Sequence, residues 1–179
     1  MKFAVLGLGE SLNSFKQEPS VNTIGCNDIY KYVATDYIVC CDPRRVFTPE
    51  RLKTIETSTP LVFFSFFQEW KSSFIGNFEL MQKSKVSGSL KTLQDRNNVC
   101  FSISSAFVAC VKAYHLGAKE ITMYGVDFNS HKELSKPEKL NRITKDFLNL
   151  HRELSYKGVC LQLGSNKSYL AKFIPVKRC

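Results

Sequence analysis

Residues 2–12 read Lys2-Phe-Ala-Val-Leu-Gly-Leu-Gly-Glu-Ser-Leu12: five largely apolar residues, two glycines one residue apart, then a serine. The apolar run is too short for a helix and does not alternate, which is the pattern of a parallel strand covered on both faces. Gly7 and Gly9 allow a sharp turn with no Cβ in the way, so backbone N–H groups can face an anion, most simply a phosphate. Two better-known phosphate loops do not fit. The dinucleotide fingerprint requires a third small residue where Leu12 stands and a ribose-binding acid where Asn27 stands. The Walker loop requires a Gly-Lys-Ser/Thr ending that is lacking. The competing reading is a tight turn and nothing more.

Outward from this stretch, strands alternate with helices. Expected strands are 2–6, 21–26, 36–42, 61–65, 120–128 and 159–163; expected helices are 11–17, 48–57, 104–115, a long one after Pro137, and a short one ending at Phe173. The long helix carries Leu140, Ile143, Phe147, Leu150 and Leu154 in three-four spacing, with Lys139, Arg142, Lys145 and Arg152 opposite. This order predicts an α/β fold, a Rossmann-like parallel-sheet sandwich forming one domain over residues 1–179. Residues 66–98 resist assignment: Phe66, Phe67, Trp70, Phe74 and Phe78 fit a core or an apolar lid, and 83–95 is polar. The loop 129–137 is a second candidate lid or mobile segment. In such sheets ligands sit at the carboxyl ends of strands, and the polar residues expected there are Ser11, Asn27, Asp42, Ser104, Ser105, Asp127 and Asn166.

Composition narrows the function classes. No run of roughly 18 apolar residues could cross a bilayer, so a cytoplasmic location without membrane partners is expected. The seven cysteines include no C-x-x-C pair and mostly sit in apolar runs, so they read as reduced core residues, with no metal site. The net charge of +9 is uneven: residues 1–60 hold seven bases and seven acids, and residues 121–179 hold eleven and five. The basic excess fits an anionic partner such as nucleic acid, a phosphorylated substrate or a membrane surface, or a surface that only confers solubility.

Seven motifs in register, G-L-G-E-S-L at 7–12, C-N at 26–27, D-P at 42–43, I-S-S at 103–105, L-G-A-K-E-I at 116–121, Y-G-V-D-F at 124–128 and S-N-K-S-Y-L-A-K-F-I at 165–174, together resemble one family. It is the bacterial sialyltransferases of glycosyltransferase family 42, within a superfamily that includes hydroxymethylpterin pyrophosphokinase-like proteins. The resemblance implies a GT-A-like single domain with a variable lid after the fifth strand, a nucleotide-sugar donor and no required cofactor. By that likeness Gly7, Gly9 and Ser11 lie along the donor's phosphates and Asn27 faces the phosphates or leaving group. Ser104 and Ser105 meet the nucleotide phosphate, Gly125, Asp127 and Phe128 the ribose and base, and Asn166 the base. The chain departs from the family at Leu8 and Asp42, where asparagine is usual, and in the short loop after Asp127.

His131 stands in the loop where the family keeps its catalytic base; a solvated loop histidine is the competing reading. Asp42 is the other candidate base. Asp42 and Asp127 could instead hold Mg²⁺ beside a triphosphate, as a pyrophosphokinase of a small hydroxymethyl substrate would require, and both could simply cap turns. His115 and His151 read as structural. The expectation is therefore a metal-independent glycosyltransferase acting on a hydroxyl of a glycan or of a modified base in DNA, with Arg142 and Lys145 as candidate nucleic-acid contacts. The alternatives are the pyrophosphokinase and a non-catalytic nucleotide- or nucleic-acid-binding module. Oligomeric state stays open.

Overall fold

A computed structural model describes residues 1–57, 61–64, 68–70, 74–129 and 134–177, with backbone only at 61–64 and 68. Among the described residues nine strands form: β1 (Lys2–Leu6), β2 (Val21–Cys26), β3 (Tyr37–Cys40), β4 (Leu61–Phe64), β5 (Phe78–Leu80), β6 (Gln82–Lys83), β7 (Asn98–Val99), β8 (Glu120–Tyr124) and β9 (Cys160–Leu163). Seven of them make one parallel sheet in the order β5-β4-β3-β2-β1-β8-β9, and β6 and β7 form a separate parallel pair. The α-helices among the described residues are α1 (Pro49–Glu56), α2 (Ser105–His115) and α3 (Pro137–Tyr156).

β1 lies between β2 and β8 because its residues are apolar on both faces. Phe3 and Val5 join the larger core cluster beneath α2 and α3, where Phe107 and Phe147 meet edge to face with ring centroids 5.7 Å apart. Ala4 and Leu6 point to the opposite face, against Ile29, Leu12 and Phe15. A third cluster, Ile38, Cys40, Phe47, Ile55, Trp70 and Phe74, packs β3 against α1, Trp70 and Phe74. The aromatics Trp70, Phe74 and Phe78 thus belong to the core rather than to a lid, while Phe66 and Phe67 lie outside the described residues. Nearly every side of α2 is buried, as expected of a helix enclosed by its own domain. None of the described helices is long and apolar enough to cross a membrane.

Several boundaries differ from expectation, for local reasons. Residues 10–14 form a 3-10 turn, not an α-helix over 11–17: the segment is short and Glu18-Pro19 stops it. The strand expected over 120–128 ends at Tyr124, since Gly125 (φ 66°) and Phe128 (φ 61°) take left-handed conformations incompatible with a strand. The region 66–98 contributes β5, β6 and most of the approach to β7, strands of two or three residues whose length is too small to show periodicity. The long helix forms as expected, with Ile143, Phe147, Leu150 and Leu154 inward and Arg142, Lys145 and Arg152 exposed.

The chain runs outward from β1 through β5 and then returns to the other side of β1 to form β8. The direction of winding therefore reverses between β1 and β8, and the crevice beyond their carboxyl ends is where such sheets take ligands. Register aligns the ends: Leu6 is level with Gly25 on β2 and with Tyr124 on β8.

Candidate active site

Beyond those aligned ends lies a cavity of about 470 Å³ lined by the turn Gly7–Gly9, the Cys26–Asn27 step, Asp42, residues 103–106, residues 125–128 and Leu134. The two turns that follow β1 and β8 interlock at its base. Gly7 N–H donates to the Tyr124 carbonyl and Gly9 N–H to the Gly125 carbonyl, each at 2.8 Å. A Cβ on Gly9 would sit 2.9 Å from the Gly125 oxygen and closer still to the Asp127 carboxylate, so only glycine permits this approach.

Asp127 fastens the same junction. Its carboxylate accepts the Ser11 N–H at 2.7 Å on one oxygen and the Ser11 hydroxyl on the other, while that hydroxyl accepts the Gly125 N–H at 2.8 Å. Ser11 is 2% exposed and is not among the residues lining the cavity. The sequence places Ser11 and Asp127 together at strand ends, but nothing local to either residue signals that they bond each other. Truncation in Asp127→Ala strands two buried donors. Thermal denaturation should show a loss of about 2–4 kcal/mol, or roughly 5–15 °C in Tm.

The polar groups offered to a ligand come from three other places. α2 begins at the cavity: its cap residue Ser104 makes no side-chain capping bond, and Ser105 and Ala106 occupy the first turn, where N–H groups lack helical partners. Asn27 holds a left-handed backbone (φ 53°), and its Oδ1 is buried without a hydrogen-bond partner. Asn27 and Phe128 are the two non-glycine residues with positive φ among those described, and both line this cavity, the kind of local strain that marks functional sites. Asp42 is the third. Burial pushes its carboxyl above the ordinary range, and the Arg51 guanidinium, itself paired with Asp28 at 3.1 Å, offsets part of that rise.

Of the residues singled out from the sequence, Gly7, Gly9, Asn27, Asp42, Ser104, Ser105, Gly125, Asp127 and Phe128 converge here. Asn166 lies on an exposed turn and, like Arg142 and Lys145 on the outer face of α3, does not line the cavity. His131 lies outside the described residues. No Lys, Arg or His is found among the described lining residues. His115 is structural: it is buried, its Nε2 lies 2.8 Å from the Leu93 carbonyl oxygen, and burial lowers its pKa. Cys26, at the end of β2, also lines the cavity, and burial holds its thiol well above the usual range. From the sequence it reads as a reduced core residue, and nothing in its composition or spacing assigns it to the cavity.

No protein-family model matches the chain, and no curated protein sequence does. Solved structures do. Sialyltransferase CST-II in complex with a trisaccharide acceptor and CMP superposes with a TM-score of 0.63 at 19% identity, covering 99% of this chain and 86% of that one. CstII from Campylobacter jejuni with CMP-3FNeuAc gives a TM-score of 0.61 at 18% identity, covering 99% and 86%. The monofunctional α-2,3-sialyltransferase Cst-I from Campylobacter jejuni gives 0.62 at 16%, covering 99% and 80%. At these identities the likeness is one of architecture, and along nearly its whole length the chain has the fold of the Campylobacter sialyltransferases.

Proposed function

We propose that the chain is a glycosyltransferase that moves a sugar from a nucleotide-activated donor to an acceptor hydroxyl. The observation that carries this reading is the convergence, at the reversal point of the sheet, of a glycine turn, the open amino end of α2, an unpartnered Asn27 amide oxygen and a half-buried carboxylate, Asp42. The likeness to enzymes described with CMP and a saccharide acceptor supports a nucleotide-linked sugar as the donor.

In this reading the Gly7–Gly9 turn and the Ser104 to Ala106 amides receive the phosphate, replacing the water it loses with fixed dipoles. Gly125 and Phe128 face the nucleoside, and Asn27 accepts a hydrogen bond from the sugar or the ribose. Asp127 positions the turns rather than touching the donor. The acceptor hydroxyl gives its proton to the Asp42 carboxylate as its oxygen bonds to the anomeric carbon. The bond from that carbon to the phosphate oxygen breaks, and its electron pair departs with the nucleotide. His131 is the alternative acceptor of that proton. The reaction draws on no cofactor.

The pyrophosphokinase reading needs Asp42 and Asp127 together for Mg²⁺, whereas the Asp127 carboxylate is turned to Ser11, one oxygen to its N–H and the other to its hydroxyl. The glycan is the favoured acceptor over a DNA base, because the support for DNA is the basic charge, and Arg142 and Lys145 stand apart from the cavity lining.

Thermal shift against CMP, UDP, GDP and ADP, their sugar conjugates and ATP, each with Mg²⁺ or EDTA, tests the reading. One nucleotide series should raise Tm by about 5–10 °C at saturating ligand, equally in EDTA. A shift with Mg·ATP alone would support the kinase, and no shift with any nucleotide would leave a binding module of another kind.

A further inference from the structure

A second cavity of about 300 Å³ adjoins the first. It shares Asp42, Ile103 and Ser105 with the first and adds Cys41, Val99, Phe101, Ser102 and Val108. We propose that this second lobe is the acceptor subsite, and that it selects an uncharged acceptor carrying an aromatic or alkyl group next to the reacting sugar. The proposal rests on the transferase reading for the term acceptor, and on the lobe's own chemistry for the class of molecule.

That chemistry is one-sided. Val99, Phe101, Ile103 and Val108 present hydrocarbon, and Asp42 is the only charged side chain among the described lining residues. The other polar side chains are already engaged. Ser102 donates its hydroxyl proton to Asp146, a buried carboxylate on α3, at 2.5 Å. Burial pushes the pKa of the Cys41 thiol up to about 12, and a hydrogen bond from the Ser105 hydroxyl offsets part of that rise. An occupant therefore finds a charged hydrogen-bond acceptor at one place, the Asp42 end that the two lobes share, and mostly apolar wall at the other. A molecule that fits presents a hydroxyl toward Asp42, where the donor's anomeric carbon would arrive, and buries an apolar group against Phe101 and Val108. A carboxylated or sulfated saccharide would place charge against that wall with no cation to pair it among the described lining residues. Lys83, whose ammonium stands over the Phe101 ring 5.0 Å from its centroid, is not among the lobe's described lining residues.

The test compares binding of methyl and phenyl β-glycosides of glucose, galactose and N-acetylglucosamine, followed by the methyl NMR signals of Val99 and Val108. In at least one pair the phenyl glycoside should bind roughly tenfold or more tightly than its methyl partner and move both signals. Phe101→Ser and Val108→Ala should each erase most of that difference, with the nucleotide-induced thermal shift retained as the check on folding. Equal binding within every pair, or movement of signals elsewhere only, would overturn the lobe assignment even if a nucleotide binds. Preferential phenyl-glycoside binding at these valines in a protein that binds no nucleotide would uphold the lobe and sink the transferase reading.

Discussion

Gly125→Ala should lose both stability and nucleotide binding, and Gly7→Ala should do nearly the same. A Cβ on Gly125 would lie well inside van der Waals contact of the Gly7 carbonyl, and one on Gly7 would meet the Gly125 carbonyl in return. Neither obstacle is a side chain that can turn away; each is backbone, held by the Gly9 to Gly125 and Gly7 to Tyr124 hydrogen bonds. Gly125 carries a second penalty, since its φ of 66° disfavours any residue with a Cβ. Overpacking against backbone and left-handed strain together come to about 2–5 kcal/mol at Gly125, against about 1–3 kcal/mol at Gly7, where strain is absent. Urea denaturation should order the proteins wild type, Gly7→Ala, Gly125→Ala. Where the variants stay folded, the nucleotide-induced thermal shift should be lost, because the turn that must face the phosphate has been pushed off its partner. A Gly125→Ala protein with wild-type stability would contradict the interlocked turn.

The positions of these turns could be read from the sequence; the bonds between them could not. An apolar run ending in Gly-x-Gly, a serine pair before a helix of small residues and a long three-four stripe each leave a local pattern, so β1, α2 and α3 were all legible. The placing of Gly7, Asn27, Asp42, Ser104 and Gly125 beside one another followed from the rule that parallel sheets present their ligands at strand ends. What stayed hidden depends on contacts between distant residues. Ser11 and Asp127 are 116 residues apart, and each reads alone as a polar residue free to meet a ligand. Folded, they bond to each other. Asp146 is similar: it falls within the amphipathic pattern of α3, where an acid is expected to face water, yet it is buried against Ser102. β5, β6 and β7 were hidden for a different reason, being shorter than the window in which any periodicity shows.

Asp42→Asn should cut turnover by about 10²- to 10⁴-fold while leaving the donor bound. Loss of a general base removes about 10²- to 10⁴-fold from the rate of the transfer step, and asparagine has nearly the same shape, so the donor-induced thermal shift should persist. The pH dependence separates this role from a structural one. Burial raises the folded-state pKa of Asp42, so the carboxylate needed as base appears only as pH climbs through a value above the ordinary aspartate range. The acidic limb of kcat/KM for the wild type should therefore lie higher than a free carboxylate would place it, and the residual activity of Asp42→Asn should lack that limb. Stability should move the other way. A carboxyl whose pKa is raised on folding contributes stability that is complete below its unfolded pKa and is lost as pH rises through its folded pKa. Asparagine does not titrate, so Asp42→Asn should match the wild type in acid and equal or exceed it in Tm at neutral pH. Reduced turnover with a raised or unchanged Tm assigns Asp42 to the chemistry. If Asp42→Asn keeps its activity while His131→Ala loses it, the proton goes to His131, and Asp42 is left as the residue that sets the polarity of the wall between donor and acceptor.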